Sequence, residues 1–280
     1  MLTFPNAKIN LGLQVLGKRP DGFHALHSCF CPVGWTDLLE ILPAETTTFV
    51  ATGLPIPGQA ADNLCLKAYH ALQRAHDLPP VRIHLHKIVP IGAGLGGGSA
   101  DAAFAINALN DLFGLGLSPE QREDYARPLG SDCAFFVRNQ PAFCTDRGDA
   151  CAPFAPNLVG CAAVLVNPGV HIGTAEAYAG LRLRPGPRPD LRALLAQPPA
   201  TWRDAVENDF EERTLERYPV VGHLKAQLYA AGALYASMTG SGSTVYGIFR
   251  ENVDKEETAP TLADWRARFS DCTVWCGNFN

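Results

Sequence analysis

Five glycines lie between a strand-like segment and a helical segment, at positions 92, 94, 96, 97 and 98. Glycine has no Cβ to shield the backbone amides, and each glycine costs conformational entropy, so a plain turn does not need five. The helix that follows carries apolar residues on one face, namely Ala102, Ile106, Leu109 and Phe113. We expect Ser99 to cap this helix. Because amides at the positive end of a helix dipole attract anions, the segment predicts a phosphate-binding loop.

Known phosphate loops of other classes fit this segment less well. Gly92-x-Gly94-x-x-Gly97 matches the dinucleotide fingerprint, but about ninety residues precede it and no strand end with an acid follows at the expected distance. The Walker pattern is absent because no lysine follows Gly97 or Gly98. The H-R-D and D-F-G strings of protein kinases do not occur.

The overall composition is that of a folded, acidic protein. The 280 residues include 23 Lys and Arg against 28 Asp and Glu, a net charge of −5, which disfavours a broad basic surface for nucleic acid. No apolar stretch approaches the ~20 residues of a membrane-spanning helix. The first residues do not read as a signal peptide. We therefore expect a cytoplasmic protein with neither nucleic-acid nor membrane partners.

Cysteine and histidine do not indicate a metal site. The nine cysteines are scattered without a C-x-x-C pair, so we expect reduced thiols and no zinc. His84 and His86 alternate on one strand face, which is more typical of a solvated strand than of a metal site.

Helix and strand signals alternate along the chain and predict a mixed α/β, or α+β, protein. Helices are expected after an Asp62 cap, after a capping box at Ser118 and on a face formed by Val220, Leu224, Leu228 and Ala231. Strands are expected at 81–87, 162–166 and 244–249, and loops at 54–58 and 184–189. The proline-containing segment 151–156 reads as a linker and suggests domains 1–152 and 153–280.

Three motifs resemble those of the GHMP kinase superfamily, in the order that the family has them. Residues 90–99 (PIGAGLGGGS) resemble its phosphate loop, residues 5–13 (PNAKINLGL) its N-terminal motif and residues 238–244 (MTGSGST) its C-terminal motif. The resemblance implies an N-terminal ATP-binding domain and a C-terminal α+β domain, with the active site in the cleft between them. It implies that ATP with Mg²⁺ is a co-substrate.

Two further strings resemble a branch of the family that phosphorylates a polyol linked to cytidine diphosphate. They are residues 17–24 (GKRPDGFH) and 129–136 (LGSDCAFF). Ala134 stands where this branch usually has proline, and Asp149 where glutamate is common.

The resemblance assigns the chemistry to two residues. Asp132, at a turn before an apolar run, is the candidate acceptor for the proton of the attacking hydroxyl. Lys8, in an otherwise apolar strand, is the candidate electrostatic partner of that carboxylate and of the developing alkoxide. Taken alone, Asp132 would read as a turn cap and Lys8 as a solvated strand residue.

The resemblance also implies two binding sets. The nucleotide set comprises Asn63, Lys87, Pro90, Ile91, Gly92, Ala93, Gly94, Leu95, Gly96, Gly97, Gly98, Ser99, Ala100 and Asp101. The substrate set comprises Asn10, Phe23, His24, Thr174, Tyr178, Thr239 and Gly240. Within it, Phe23, His24 and Tyr178 are expected to hold the cytosine, although Tyr178 alone would read as helix core and Lys87 as a solvated lysine. No protein ligand for the metal is predicted.

Alternatives remain at this point. The chain could be a GHMP kinase of the mevalonate or homoserine type, which needs no base pocket such as Phe23 and His24. It could also be a nicotinamide-dependent oxidoreductase, or an inactive binding protein of the same fold, against which intact Lys8 and Asp132 argue.

Overall fold

Strands and helices alternate along the chain as the sequence pattern predicts. A computed structural model describes residues 1–184, 186–251 and 260–279. The strands are β1 (Leu2–Thr3), β2 (Asn6–Lys18), β3 (His24–Thr36), β4 (Leu38–Pro43), β5 (Thr48–Gly53), β6 (Val81–Lys87), β7 (Ala142–Thr145), β8 (Ala150–Pro153), β9 (Cys161–Asn167), β10 (Tyr235–Met238), β11 (Val245–Arg250) and β12 (Thr273–Asn278). The α-helices are α1 (Leu64–His76), α2 (Gly97–Leu112), α3 (Pro119–Ala126), α4 (Cys133–Arg138), α5 (Thr174–Ala179), α6 (Leu191–Leu195), α7 (Glu211–Arg217), α8 (Pro219–Ala230) and α9 (Leu262–Arg268).

The described residues form two compact units that interleave along the chain. Unit 1 contains Met1–Ala7, Trp35–Ile91 and Gly96–Gln140, and unit 2 contains the described residues of Lys8–Gly34, Gly92–Leu95 and Pro141–Asn280. These units do not follow a single cut at 152/153. The reason is that β2 is tied to the C-terminal half: Leu13 accepts a hydrogen bond from the Asp209 amide, and the Asp209 carboxylate accepts one from the Val15 amide. The sequence domains 1–152 and 153–280 remain a prediction.

Unit 1 is built from one sheet and four helices. The sheet has the order β1-β4-β6-β5, in which β5 and β6 are parallel and the other pairs are antiparallel. Helix α2 packs against α1, α3, α4 and β4. Its alanine-rich sequence allows this close approach, and Ala102, Ile106 and Leu109 are fully buried, as the apolar face predicts.

Unit 2 contains most of the sheet β2-β3-β7-β8 and all of the sheet β10-β11-β9-β12. Strand β9 lies inside the second sheet and is almost entirely buried, which explains its continuous apolar sequence. Helix α8 covers β10 and β11. Its buried residues are Val221, Leu224 and Leu228, so the expected face is confirmed except that Val221 replaces the exposed Val220.

Several local predictions are confirmed and others are wrong. Strand β6 matches 81–87, and Ser118 forms the expected capping box at α3. Helix α1 is capped by the side chain of Asn63 instead of Asp62, because the Asn63 Oδ1 accepts the Cys65 amide at 2.9 Å. The expected linker 151–156 begins instead within strand β8. The expected loop 184–189 includes Pro185, which lies outside the described residues.

The expectation of reduced thiols is wrong for one pair. Cys144 and Cys151 form a disulfide, and they lie directly opposite each other in the β7–β8 hairpin. That pairing depends on the hairpin register, which the cysteine spacing alone does not reveal. The other seven cysteines are free.

No membrane span is found among the described residues, since none of their helices is long and apolar enough to cross a bilayer.

Candidate active site

The glycine loop connects the end of β6 at Lys87 to the start of α2 at Gly97. Gly94 adopts φ 79°, and a Cβ there would lie 2.0 Å from the carbonyl oxygen of Thr239. Both the positive φ and this close approach to another backbone require glycine at this position.

Helix α2 begins earlier than the sequence suggested. Gly96, at φ 70°, is the N-cap residue, and Ser99 lies inside the first turn, so the prediction that Ser99 caps the helix is wrong. The glycine run allows the helix to start at Gly97, because Gly96 can take the left-handed conformation. The first amides of an α-helix have no intrahelical acceptor. The start of α2 therefore supplies the amide donors and the positive dipole end that a phosphate needs.

Unit 1 contains a buried ion cluster formed by Asp37, Lys87 and Asp101, which we call the Lys87 cluster. The Lys87 amine donates to Asp37 Oδ2 at 2.5 Å and to Asp101 Oδ2 at 2.7 Å. The three side chains are at most 5% exposed, which rules out a solvated Lys87. Asp101 is buried beyond the first turn of α2.

Burial controls the protonation of this cluster. Burial raises the pKa of Asp101 to about 7, although attraction to Lys87 opposes the rise and the nearby Asp37 adds to it. Burial alone would lower the pKa of Lys87, but Asp101 and Asp37 together raise it. Lys87 is therefore protonated at neutral pH, whereas the Asp101 carboxyl gains or loses its proton near pH 7.

A second buried cluster, in unit 2, brings residues of the three sequence motifs together at the carbonyl oxygen of Gly94. The Lys8 amine lies 3.3 Å from that oxygen, and the Thr239 hydroxyl donates to it at 3.1 Å. The Lys8 amine also donates to Asn10 Oδ1 at 2.5 Å, and the Thr239 hydroxyl accepts the Asn10 amide at 2.9 Å. Lys8 is 3% exposed, so it is not a solvated strand residue. We call Lys8, Asn10, Gly94 and Thr239 the Gly94 cluster.

Sequence reasoning missed three residues that support the Gly94 cluster. Ser28 accepts a hydrogen bond from Asn10 Nδ2 at 2.9 Å, and the Phe30 ring lies 4.7 Å from the Lys8 amine. Asn208 donates to the carbonyl oxygens of Met238 and Gly240, both at 2.8 Å, and so fixes the loop that carries Thr239. A serine, a phenylalanine and an asparagine in these segments give no local signal of such roles.

Asp132 occupies the N-cap position of α4 and is half-buried, and the Ser131 hydroxyl donates to its Oδ1 at 3.2 Å. Its turn packs against the start of α2, because a Cβ on Gly130 would lie 3.4 Å from the Ser99 hydroxyl. Unit 1 therefore holds Asp132 on a turn that touches the predicted phosphate helix. Lys8 belongs to unit 2, and a meeting of Lys8 with Asp132 stays a prediction.

The residues predicted to recognise a base form an aromatic group in unit 2. The rings of His24 and Tyr178 stack at 4.7 Å with an angle of 17°, and Tyr178 meets Phe210 edge-on at 4.9 Å. We call His24, Tyr178 and Phe210 the aromatic group. Phe23 is 55% exposed, and the Arg147 guanidinium lies 4.8 Å from its ring. Thr174 is exposed at the start of α5.

Other candidates have structural roles or no assigned one. Asn63 caps α1, and its additional role in nucleotide binding stays a prediction. His84 and His86 both lie 2.9 Å from the Thr52 hydroxyl, and the described residues contain no group of three or more His, Cys, Asp or Glu side chains that could hold a metal. A cavity of about 350 Å³ between α5 and α7 is lined by Phe210 but by none of the predicted site residues.

Comparison with known proteins identifies the family. The model of the GHMP kinase N-terminal domain matches residues 63–140, and that of the GHMP kinase C-terminal domain matches residues 190–267. A 4-diphosphocytidyl-2-C-methyl-D-erythritol kinase of Cytophaga hutchinsonii is 52% identical over 250 residues, covering 89% of this chain and 92% of the relative. One of Parabacteroides distasonis is 42% identical over 280 residues, covering all of both chains.

Solved structures agree with the family models. The crystal structure of a 4-(cytidine 5'-diphospho)-2C-methyl-D-erythritol kinase superimposes with a TM-score of 0.81 at 29% identity, over 99% of this chain and 98% of that one. A homoserine kinase of Cytophaga hutchinsonii, 15% identical with a TM-score of 0.69 over 98% of this chain and 95% of that one, shares the fold. The expected α+β fold is confirmed, and the chain belongs to the GHMP kinase family of ATP-dependent small-molecule kinases, among the 4-diphosphocytidyl-2-C-methyl-D-erythritol kinases.

Proposed function

We propose that the protein transfers the γ-phosphoryl group of MgATP to the 2-hydroxyl of the methylerythritol part of 4-diphosphocytidyl-2-C-methyl-D-erythritol. This reaction belongs to the isoprenoid precursor pathway that does not use mevalonate, and we propose the cytoplasm as its location. The observation that carries the proposal is the Gly94 cluster. It joins Lys8 of the first motif, Gly94 of the phosphate loop and Thr239 of the third motif through direct contacts.

The nucleotide phosphates bind at the start of α2 in this proposal. The amides that follow Gly96 point out of the helix end, and the dipole favours negative charge there. Magnesium arrives with the nucleotide as part of the substrate. Bound there, it neutralises phosphate charge, and no protein ligand is assigned to it.

Asp132 accepts the proton of the attacking hydroxyl. Phosphoryl transfer needs little beyond positioning, charge neutralisation and such an acceptor. The contact between the Asp132 turn and Ser99 on α2 supports this role, since it keeps the carboxylate near the end of the helix where phosphate is expected. Lys8 stabilises the ionised carboxylate and the developing alkoxide.

The substrate cytosine binds at Phe23, His24 and Tyr178. An aromatic ring such as Tyr178 offers a stacking surface, and the imidazole of His24 offers both a donor and an acceptor to a base edge. The observed stack of His24 on Tyr178 supports a site that accepts flat rings. Thr174, exposed at the start of α5, is proposed to contact the substrate as well.

An ADP-release assay with a panel of phosphoryl acceptors tests the proposal. The acceptors are 4-diphosphocytidyl-2-C-methyl-D-erythritol, its uridine analogue, mevalonate and homoserine. We expect rapid ADP release with the cytidine compound and little with the others. Preferred turnover of mevalonate or homoserine would contradict the substrate assignment, although it would leave the kinase family intact.

A further inference from the structure

The Lys87 cluster touches both ends of the glycine loop. On the β6 side, Asp37 Oδ1 accepts the amides of Ile88 at 2.5 Å and Val89 at 2.8 Å, directly before Pro90. On the α2 side, Asp101 projects from the helix, and a Cβ on Gly97 would lie 2.9 Å from the Lys87 amine. Any change of charge in this cluster therefore changes the electrostatic potential at the first amides of α2.

The charges in the cluster do not balance when both carboxylates are ionised. Two aspartates share one lysine, so the buried cluster then carries one net negative charge. In the described part of the chain, Asp101 Oδ1 is buried and has no hydrogen-bond partner, so it can receive a proton without losing a contact.

The other groups that face Asp101 do not remove this imbalance. The titratable and charged groups that interact with its carboxyl are Lys87 from β6, Asp37 from the segment before β4 and the Cys65 thiol from α1. Burial raises the pKa of Cys65 well above its usual value, so it stays a neutral thiol. Burial likewise raises the pKa of Asp101 to about 7, which places its proton within reach of small changes in nearby charge.

We propose that nucleotide binding at the start of α2 draws a proton from solvent onto Asp101 Oδ1, so that Asp101 is a positioning residue that sets the charge behind the phosphate loop. Phosphate charge repels an ionised carboxylate on the same helix and favours its neutral form. The proton comes from solvent buffer, one O–H bond forms on Asp101, and the cluster becomes neutral with Lys87 still paired to Asp37. The inference rests on the proposed nucleotide site.

Calorimetry measures this proton directly. Titration of MgADP at pH 7, in two buffers of different ionisation enthalpy, gives the number of protons taken up on binding. The wild-type protein should take up as much as about half a proton more than Asp101→Asn, because a group with a pKa of about 7 is half ionised at that pH. Proton changes on the nucleotide itself occur equally with both proteins and cancel in the difference.

The affinity should follow the same pattern. We expect MgADP to bind the wild-type protein more weakly as the pH rises from 6 to 8, by as much as about tenfold for each unit by which binding raises the Asp101 pKa. Asp101→Asn should show a flat profile and bind more tightly than wild type at pH 8. Asp111→Asn removes an exposed charge from the other end of α2 and should behave as wild type.

Three outcomes would overturn the inference. Equal proton uptake in wild type and Asp101→Asn is one, and weaker binding by Asp101→Asn at every pH, the mark of a merely structural role, is another. Infrared difference spectra of the wild-type protein give a test that needs no variant, since MgADP should produce a carboxylic acid carbonyl band, and its absence is the third. A wild-type protein that binds no nucleotide would instead remove the proposed nucleotide site itself.

Discussion

The Lys87 cluster and the aromatic group are built from opposite materials. In the first, three charged side chains are almost fully buried and hold each other at 2.5 and 2.7 Å. In the second, His24 and Tyr178 are half-buried, and the rings contact each other by stacking and edge-on packing. The first arrangement cannot move without exposing charge to an apolar interior, whereas rings can slide or separate at small cost.

This difference suggests a division of labour between the two regions. Removing one partner of a buried ion pair lowers the free energy of unfolding by about 3–5 kcal/mol, because the other charge stays buried without its partner. An aromatic pair contributes roughly 0.5–1.5 kcal/mol beyond its buried area. We therefore expect the Lys87 cluster to be preformed and essential to folding, and the aromatic group to be adaptable and to matter mainly for substrate affinity.

Removing the lysine of the Lys87 cluster should have the largest effect. Lys87→Met leaves Asp37 and Asp101 buried side by side, and we expect the free energy of unfolding to fall by about 3–5 kcal/mol. Urea unfolding of the variant and the wild-type protein measures this loss. Lys67→Met on the exposed face of α1 is the matched control and should change stability by less than about 1 kcal/mol. A small loss for Lys87→Met would show that the cluster is not the rigid element of this comparison.

Asp132 should matter for turnover and not for folding. We expect Asp132→Asn to lower kcat at least about 100-fold, in line with the loss of a general base, while both substrates still bind. Steady-state kinetics with separately measured affinities decide this, and the exposed Asp124→Asn serves as control. Near-normal kcat would remove Asp132 from the chemistry.

Variants of Lys8 test whether Lys8 and Asp132 cooperate in catalysis. Lys8→Ala should also lower kcat, because it removes charge stabilisation. If Lys8 and Asp132 cooperate, the double variant should be little worse than the worse single variant, since such effects are not additive. Fully multiplicative losses would show two independent roles.

Features of the fold that depend on neighbouring residues could be predicted from the sequence, and those that depend on distant residues could not. Strand β6, helix α2 and the Ser118 capping box follow from local chemistry, namely alternation, an apolar face and a cap, and all were predicted. The Lys87 cluster was not, because Asp37 is 50 positions from Lys87 and nothing near it in the chain signals a buried carboxylate. A lysine at the end of a strand is expected to be solvated, because the sequence near it does not show that other segments of the fold bury it.

The errors in the candidate site have equally specific causes. Ser99 is a good capping residue, but the glycines before it let α2 start at Gly97. Asp62 and Asn63 are both good caps, and the extended backbone of Asn63 gives the role to the second. The residues around Lys8 come from segments far apart in the sequence, so Ser28 and Phe30 could not be found by spacing.

We expect the aromatic group to discriminate moderately between cytosine and uracil. Cytosine presents an amine where uracil presents an oxygen, and an unpaired buried polar group costs roughly 1–3 kcal/mol. We expect kcat/KM to favour the cytidyl over the uridyl substrate by about 5- to 150-fold, and Tyr178→Ala to raise KM for the cytidyl substrate while KM for ATP stays unchanged. Equal kcat/KM values for the two bases would show that the aromatic group does not read the base.

The smallest expected effect is a pH dependence of stability that belongs to the Lys87 cluster alone. Burial raises the pKa of Asp101 from 3.8 in the unfolded chain to about 7. The folded state therefore binds the proton more tightly, so this contribution to stability is complete below pH 3.8 and is lost as the pH rises through about 7. Between pH 6 and pH 7 the loss should be about 1 kcal/mol, and it should level off above pH 8.

Urea unfolding of wild type and Asp101→Asn across this range measures the difference, since the variant lacks the titrating group. A matched series for Phe23→Ala should run parallel to wild type, because this exposed side chain carries no titratable group. Parallel curves for wild type and Asp101→Asn would mean that the carboxylate is already ionised throughout, and that Lys87 neutralises the cluster better than its burial suggests.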